Sequence, residues 1–127
     1  MLIVAEGKVL VVRGWLGNGK WVLPGGGLHK GEDPMAGVLR ELYEETGVKL
    51  DSSTVESGGI VMATDSGLTF RYHRFFAELP GVTFLQEQAL EIITAQWVPL
   101  AEITTANAQK STLDMIAASK NGRPTQV

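Results

Sequence analysis

Hydrophobic residues occur in short runs along the chain, and their composition and spacing predict strands in five places. Residues 2–5 (LIVA) and 8–13 (KVLVVR) predict two strands joined by a short turn. Residues 59–64 and 68–79 are rich in β-branched and aromatic residues and predict a second pair of strands. A further strand is expected at residues 94–98 (TAQWV). The pattern therefore predicts a β-sheet.

The segment from residue 34 to residue 46 has the period of an α-helix instead. Asp33 is a favourable N-cap, Pro34 suits the first helical position, and Gly47 suits the left-handed residue that ends a helix. At about 100° per residue, one side carries the residues expected to pack on the sheet: Met35, Val38, Leu39, Leu42 and Thr46. A second helical patch near the C-terminus has three apolar residues on one side: Leu113, Ile116 and Ala117. Strands combined with helices indicate an α/β protein.

Three glutamates, Glu41, Glu44 and Glu45, crowd the last turns of the first predicted helix. They lie at the border of the packing face, so we expect them to line one rim of the helix. An acid at a helix C-terminus costs roughly 0.3–1 kcal/mol through the helix dipole, and like charges four residues apart add to this cost. Arg40 offsets only part of it. A solvated acidic helix end is one explanation, but hard carboxylate oxygens in such a group suit Mg²⁺ or Mn²⁺ and favour a metal site.

Composition limits the other classes of function. A chain of 127 residues is long enough for one well-packed core, so we treat residues 1–127 as a single domain. The formal net charge of −3 argues against a nucleic-acid partner. The absence of cysteine excludes disulfides and thiolate chemistry and is compatible with a reducing cytoplasm. Glu6 and Lys8 interrupt the apolar N-terminal stretch, so we expect no membrane span and a cytoplasmic location.

A glycine-rich turn at residues 25–27 stands just before the acidic helix. It does not match the two common phosphate loops. A Walker loop requires lysine after its last glycine, but Glu32 follows Gly31, and the dinucleotide fingerprint requires glycine where this chain has Lys30. Consecutive glycines let backbone groups approach a ligand or metal closely. We therefore interpret the turn as part of the same site as the acids.

Together these positions resemble the sequence signature of the Nudix hydrolases. The match consists of Gly26, five residues, Glu32, seven residues, and then Arg40, Glu41, Leu42, Glu44, Glu45, Gly47 and Val48. The flanking stretches WVLP and QWVPL are also similar to the family, so the resemblance covers most of the chain. It implies an α/β/α sandwich, with a mixed β-sheet between helices. It also implies a divalent-metal-dependent pyrophosphohydrolase acting on a nucleoside diphosphate linked to another group.

The resemblance further implies roles for individual residues. Glu41 and Glu45 would be ligands of Mg²⁺ (or Mn²⁺), and Glu44 would be a third ligand or a neighbour bound through water. The carbonyl of Gly25 would be a backbone ligand. Arg40 would orient the acidic side chains.

The remaining implied roles concern substrate and water. Glu32 would support the junction between loop and helix, beside the close backbone approach that Gly26 and Gly27 allow. The general base in this family is sometimes a helix glutamate and sometimes a glutamate of a later loop. Glu87 and Glu91 are the loop candidates, and we prefer Glu91 because it lies six residues before Trp97, a spacing similar to the family's loop acid.

The substrate is less constrained than the reaction. Residues 61–66 (VMATDS), shortly beyond the signature, contain neither the proline nor the tyrosine that marks the family's ADP-ribose and dinucleoside polyphosphate subclasses. By elimination we favour a nucleoside triphosphate, including an oxidised one, which would yield a monophosphate and pyrophosphate. ADP-ribose, nucleotide sugars and dinucleoside polyphosphates are the alternatives. Trp15 and Tyr72 are the aromatic residues we expect to contact the base.

Two other functions are compatible with parts of this pattern. A non-catalytic Nudix sensor would bind a nucleotide without cleaving it, but such proteins usually lose the acids that this chain keeps. A structural Ca²⁺ site would need a cluster of alternating ligands, which the sequence lacks. The expected partner is a small nucleotide, and the sequence leaves both a monomer and a homodimer open.

Overall fold

The structure is a computed structural model that describes residues 1–14, 19–25, 28–65, 67–86, 92–120 and 123–124. Five strands form one sheet in the order β3-β4-β1-β2-β5. Their bounds are Leu2–Ala5 for β1, Lys8–Gly14 for β2, Glu56–Asp65 for β3, Leu68–Glu78 for β4 and Ile92–Pro99 for β5. The β1–β4 pair is parallel and the other pairs are antiparallel, so the sheet is mixed.

Two α-helices accompany the sheet, α1 at Pro34–Thr46 and α2 at Lys110–Ala117. Single turns of 3₁₀ helix lie at Ser52–Thr54 and Leu100–Glu102. A separate two-stranded sheet joins β6 (Ser119–Lys120) to β7 (Arg123–Pro124). Neither α-helix is long and apolar enough to cross a membrane, within the part of the chain that the structure describes.

The sheet separates two hydrophobic clusters because alternate residues of each strand face opposite sides. Ile3, Leu10 and Phe75 pack with α1 on one face. Leu2 and Phe76 pack on the other face, where Leu113 and Ile116 of α2 cover them. The arrangement of helix, mixed sheet and helix confirms the predicted α/β/α sandwich.

The predicted elements agree closely with the observed ones. All five strands are confirmed, with β3 starting three residues before the predicted residue 59. The helix at residues 34–46 is confirmed at both ends. In α2, Ala117 is exposed although the apolar pattern groups it with Leu113 and Ile116, and the polar Thr112 is buried. The hydroxyl of Thr112 donates to the carbonyl of Trp21 at 3.3 Å, which turns that side of α2 toward the sheet.

The ends of α1 are fixed by local hydrogen bonds. Asp33 caps the N-terminus by accepting a hydrogen bond from the backbone N–H of Ala36 at 3.1 Å. Gly47 ends the helix with φ 75° and donates to the carbonyl of Tyr43 at 2.8 Å. A segment distant in sequence also contacts this end of the helix. The N–H of Gln86 donates to the carbonyl of Thr46 at 2.8 Å. The helix C-terminus is therefore held by another part of the chain.

Gly47→Ala should destabilise the fold more than an alanine substitution at a left-handed glycine that has no close neighbours. A Cβ at this position would lie 2.7 Å from the carbonyl oxygen of Gln86. Gly7 is the matched control, because it also has a positive φ but nothing within 4 Å of an added Cβ. We expect Gly7→Ala to cost about 1 kcal/mol and Gly47→Ala roughly 2 kcal/mol more, measured by urea unfolding. Equal losses in the two variants would show that the contact with Gln86 is unimportant.

Candidate active site

The loop before α1 is joined to the helix by one bidentate ion pair. Arg40 Nε donates to Glu32 Oε2 at 2.8 Å, and Arg40 Nη2 donates to Glu32 Oε1 at 2.9 Å. The backbone N–H of His29 donates to the same Oε1 at 2.9 Å. A guanidinium fork matched to a carboxylate fixes both distance and orientation. The loop therefore has a defined position against the helix.

The third nitrogen of Arg40 faces the acids of its own helix. Nη1 lies 3.1 Å from Glu41 Oε1 and 3.2 Å from Glu44 Oε2. Arg40 thus contacts three carboxylates, those of Glu32, Glu41 and Glu44. Like charges that repel one another are held together here by a shared cation.

Glu45 is placed differently from the other two helix acids. It is buried, with 7% of its surface exposed, and its Oε1 accepts a hydrogen bond from the backbone N–H of Gly25 at 2.8 Å. The prediction that all three acids line one rim outside the buried core was therefore wrong for Glu45. The reason is that the backbone of Gly25, with φ 146°, lies against this side chain. Sequence positions 25 and 45 become direct neighbours.

The ion pair changes the acidity of both partners. Hydrogen bonds from Arg40 and from the backbone of His29 lower the pKa of Glu32 to about 2. The same contact with Glu32 raises the pKa of Arg40 above its usual value, and Glu44 adds to the effect. Both groups are therefore charged at neutral pH.

The donor set fits a hard divalent cation in its chemistry. Glu41 and Glu44 offer carboxylate oxygens beside Arg40, and Glu45 offers its own against the backbone of Gly25. Among the described residues, no group of three or more histidine or acidic side chains forms a ready-made cage. Mg²⁺ does not require one, because it usually binds one or two carboxylates and keeps water or substrate phosphate at its other positions. The arrangement is therefore compatible with a metal shared between protein and substrate.

A cleft of about 950 Å³ opens beside the glycine-rich turn. Its walls come from the turn, from the N-terminal half of α1, from the β3–β4 pair and from α2, and they include Pro24, Leu28, Tyr72, Arg74, Lys110 and Met115. This volume lies at the upper end of the range for small-molecule sites. Gly25 lines the cleft and also donates to Glu45, so the cleft and the acidic cluster meet at this residue, although the acids themselves are not among the lining residues.

The charged groups of the cleft are mostly basic. Arg71, Arg74 and Lys110 line it, and Asp114 is the acid among the lining residues. The guanidinium of Arg74 donates to the carbonyl of Gly58 at 3.0 and 2.6 Å. Because this carbonyl is neutral, the contact does not compensate the positive charge of Arg74. Lys110 lies 3.6 Å from Asp114 at an exposed position, where such a pair contributes little. The cleft is therefore suited to an anionic ligand.

The structure brings most of the predicted site residues together. Gly25, Glu32, Arg40, Glu41, Glu44 and Glu45 surround the junction of loop and helix, and Tyr72 lines the cleft nearby. Trp15, Gly26, Gly27, Glu87 and Glu91 lie outside the described residues. The sequence did not identify Leu28, Arg74 or the α2 residues as part of the cleft. Nothing in their local sequence marks them, because only the packing of α2 beside β3 and β4 creates this wall.

A mixed sheet between two helices, with Glu32 paired to Arg40 and Gly25 bound to Glu45, agrees with the Nudix-type hydrolase domain that the sequence resembles. The model of the NUDIX domain family matches residues 1–118, and the chain belongs to this family. Members of the family generally use divalent metal ions.

Individual relatives agree with this assignment. The chain is 38% identical over 88 residues to Nudix hydrolase 6 of Arabidopsis thaliana, covering 68% of this chain and 30% of that protein. It is 46% identical over 56 residues to an RNA pyrophosphohydrolase of Roseobacter denitrificans, covering 43% and 35%. The chain thus spans about a third of the length of these curated relatives. The NUDIX domain of Shewanella oneidensis NrtR, solved with ADP ribose, has a similar fold, with TM-score 0.78, 24% identity, and 91% and 80% of the two chains covered.

The ion pair between Glu32 and Arg40 predicts a specific acid dependence of stability. Because the pKa of Glu32 is lowered in the folded state, the pair stabilises the fold above the carboxyl's usual pKa of 4.5 and loses this effect as the pH falls toward 2. Glu32→Gln should therefore be less stable than wild type at pH 6, with the difference shrinking between pH 4.5 and 2. Urea unfolding at several pH values measures this. Glu102→Gln, at an exposed glutamate, is the control, and a pH-independent difference for Glu32→Gln would contradict the prediction.

Proposed function

We propose that this protein is a Mg²⁺-dependent pyrophosphohydrolase that cleaves a nucleoside diphosphate linked to another group. A nucleoside triphosphate, standard or oxidised, is the favoured substrate, and the products would be a monophosphate and pyrophosphate. The observation that carries the proposal is the cluster around Arg40. One guanidinium holds Glu32 on the loop and both Glu41 and Glu44 on the helix, while Glu45 is bound to Gly25.

The cluster supports a division of roles among its residues. Glu41, Glu44 and Glu45, with the carbonyl of Gly25, would hold the metal. Arg40 would position Glu41 and Glu44, which it contacts at 3.1 and 3.2 Å. Bound there, Mg²⁺ would neutralise charge on the pyrophosphate oxygens and lower the pKa of a bound water. A sensor that only binds nucleotides has no need for this concentration of acids, which favours an enzyme.

The proton of the attacking water requires a base. Glu91 is our preferred candidate, Glu87 is the second, and a helix glutamate is the third. The described chain on the N-terminal side of this loop is anchored near the acids, because the N–H of Gln86 donates to the carbonyl of Thr46 at the end of α1. Gln86, the last described residue before both loop candidates, thus lies at the acidic end of α1, which favours this loop as the source of the base.

The cleft supports an anionic nucleotide as the ligand. Its basic residues, Arg71, Arg74 and Lys110, outnumber its single acid, Asp114, among the charged lining residues. Each phosphate beyond the scissile linkage would find cationic partners there, whereas a neutral sugar would not. This favours a nucleoside triphosphate or a dinucleoside polyphosphate over a nucleotide sugar. Tyr72, on the same strand as Arg74, would supply an aromatic surface for the base.

Turnover of a nucleotide panel with Mg²⁺ tests the reaction and the substrate together. The panel should include standard and oxidised nucleoside triphosphates, ADP-ribose, a nucleotide sugar, a dinucleoside polyphosphate and a 5′-triphosphate RNA. Wild type should hydrolyse one group, and Glu45→Gln should lose roughly a hundredfold or more of that activity. A glutamine at position 45 keeps an oxygen that can accept from Gly25 N–H, so the loss would reflect charge rather than the hydrogen bond.

Two controls make the result decisive. Glu102→Gln removes an exposed carboxylate away from the cluster and should keep full activity. Isothermal titration of wild type with Mg²⁺ and a nucleotide measures binding independently of turnover. Nucleotide binding without hydrolysis of any panel member would refute the enzyme and support the sensor.

Tyr72 provides a separate test of the cleft. Tyr72→Ala should raise KM for the preferred nucleotide about tenfold with little change in kcat, because stacking on the base binds ground and transition states equally. Phe84→Ala is the matched control, since Phe84 is an 86% exposed aromatic residue that is not among the cleft residues. A fall in kcat without a change in KM would place Tyr72 in the chemistry instead of the base contact.

A further inference from the structure

The strand β3 forms an outer edge of the five-stranded sheet. It is ten residues long, and in the described part of the chain β4 is the only strand paired with it. The opposite side of an edge strand presents backbone N–H and C=O groups that can pair with another strand. In most natural edge strands of this length, charged residues, proline, a β-bulge or a covering element prevents such pairing.

The central part of β3 lacks these devices. Residues 60–64 read IVMAT, with no charge and no proline, and the bulge in its pairing with β4 lies before them, between Ser57 and Ile60. Ile60 is 47% exposed and Met62 is 62% exposed, and both project from the same face of the sheet. A regular, apolar and uncharged edge of this kind favours association with another β-strand.

We propose that β3 pairs with β3 of a second copy of this chain, antiparallel and with the two-fold axis at Val61, to form a ten-stranded sheet across a homodimer. In this register Ile60 of each copy lies opposite Met62 of the other, so the exposed apolar side chains cover one another. The interface is isologous, as expected of a two-fold dimer. Val61 and Met62 also border the cleft, which places the interface beside the candidate active site.

The charges of the strand are compatible with self-pairing. Glu56 and Asp65 are the charged residues of β3, and they stand at its two ends. With the axis at Val61, Asp65 of one copy falls near Ser57 of the other, beyond the bulge between Ser57 and Ile60, where the strand carries no charge. Glu56 falls beyond the paired segment. No like charges meet across the axis, whereas a charged residue at the centre would have faced itself. This absence of repulsion favours a second copy as the occupant of the edge.

Cysteine cross-linking tests the register, because the natural chain contains no cysteine. Directly opposed residues of an antiparallel pair have Cα atoms about 4.5–5.5 Å apart, within the range of a disulfide. With oxidised glutathione, Val61→Cys should give a covalent dimer at low protein concentration. Phe84→Cys, on an exposed loop residue, should remain monomeric on denaturing gels under the same conditions.

Sedimentation velocity tests the association without cross-linking. Wild type should pass from monomer to dimer between about 1 and 300 µM, and Met62→Lys should weaken the dimer by about a hundredfold or more, because it places an unpaired charge at the interface. Phe84→Lys should leave the dimer unchanged. A wild type that remains monomeric to the highest concentration overturns the proposal. So does a dimer that survives Met62→Lys, or cross-linking of Phe84→Cys as fast as that of Val61→Cys.

Discussion

The ion pair between Arg40 and Glu32 is the interaction that gives the candidate site its shape. It joins the loop before α1 to the side of the helix through two parallel hydrogen bonds of 2.8 and 2.9 Å. Both groups stay charged over the physiological range because each stabilises the ionised form of the other. Arg40 then has one nitrogen left for Glu41 and Glu44, so the loop and the acids are positioned by a single side chain.

The site also requires that two backbone segments lie very close to α1. Gly25 donates to the buried carboxylate of Glu45, and Gly47 lets the carbonyl of Gln86 pass close to the end of α1. A side chain at position 47 would collide with that carbonyl, so the glycine has a packing role as well as a helix-ending one. The α1 helix is thereby clamped at its acidic end from two directions, by the turn at residue 25 and by the chain at residue 86.

The acids proposed to bind the metal and the cleft proposed to bind the substrate come from different parts of the chain. Helix α1 packs on one face and carries the acids, while α2 packs on the other and supplies one wall of the cleft. The acids lie in one short segment that can be read from the sequence, whereas the described lining of the cleft comes from several segments that are far apart in the chain. This difference explains why the reaction class is easier to infer than the substrate. The family's common chemistry resides in the first part and its varied specificity in the second.

The sequence by itself determined the elements and the chemical character of the site. Asp33, Pro34 and Gly47 act through local backbone geometry, so they marked the bounds of α1 correctly, and the alternating strand residues marked the sheet. Only the tertiary structure decided that Glu45 is buried against Gly25 and that Thr112, not Ala117, faces the core. It also decided that Arg74 and α2 form a cleft beside the acids. Local patterns fix which side of an element is apolar, but burial of a particular polar residue depends on which distant segment folds over it.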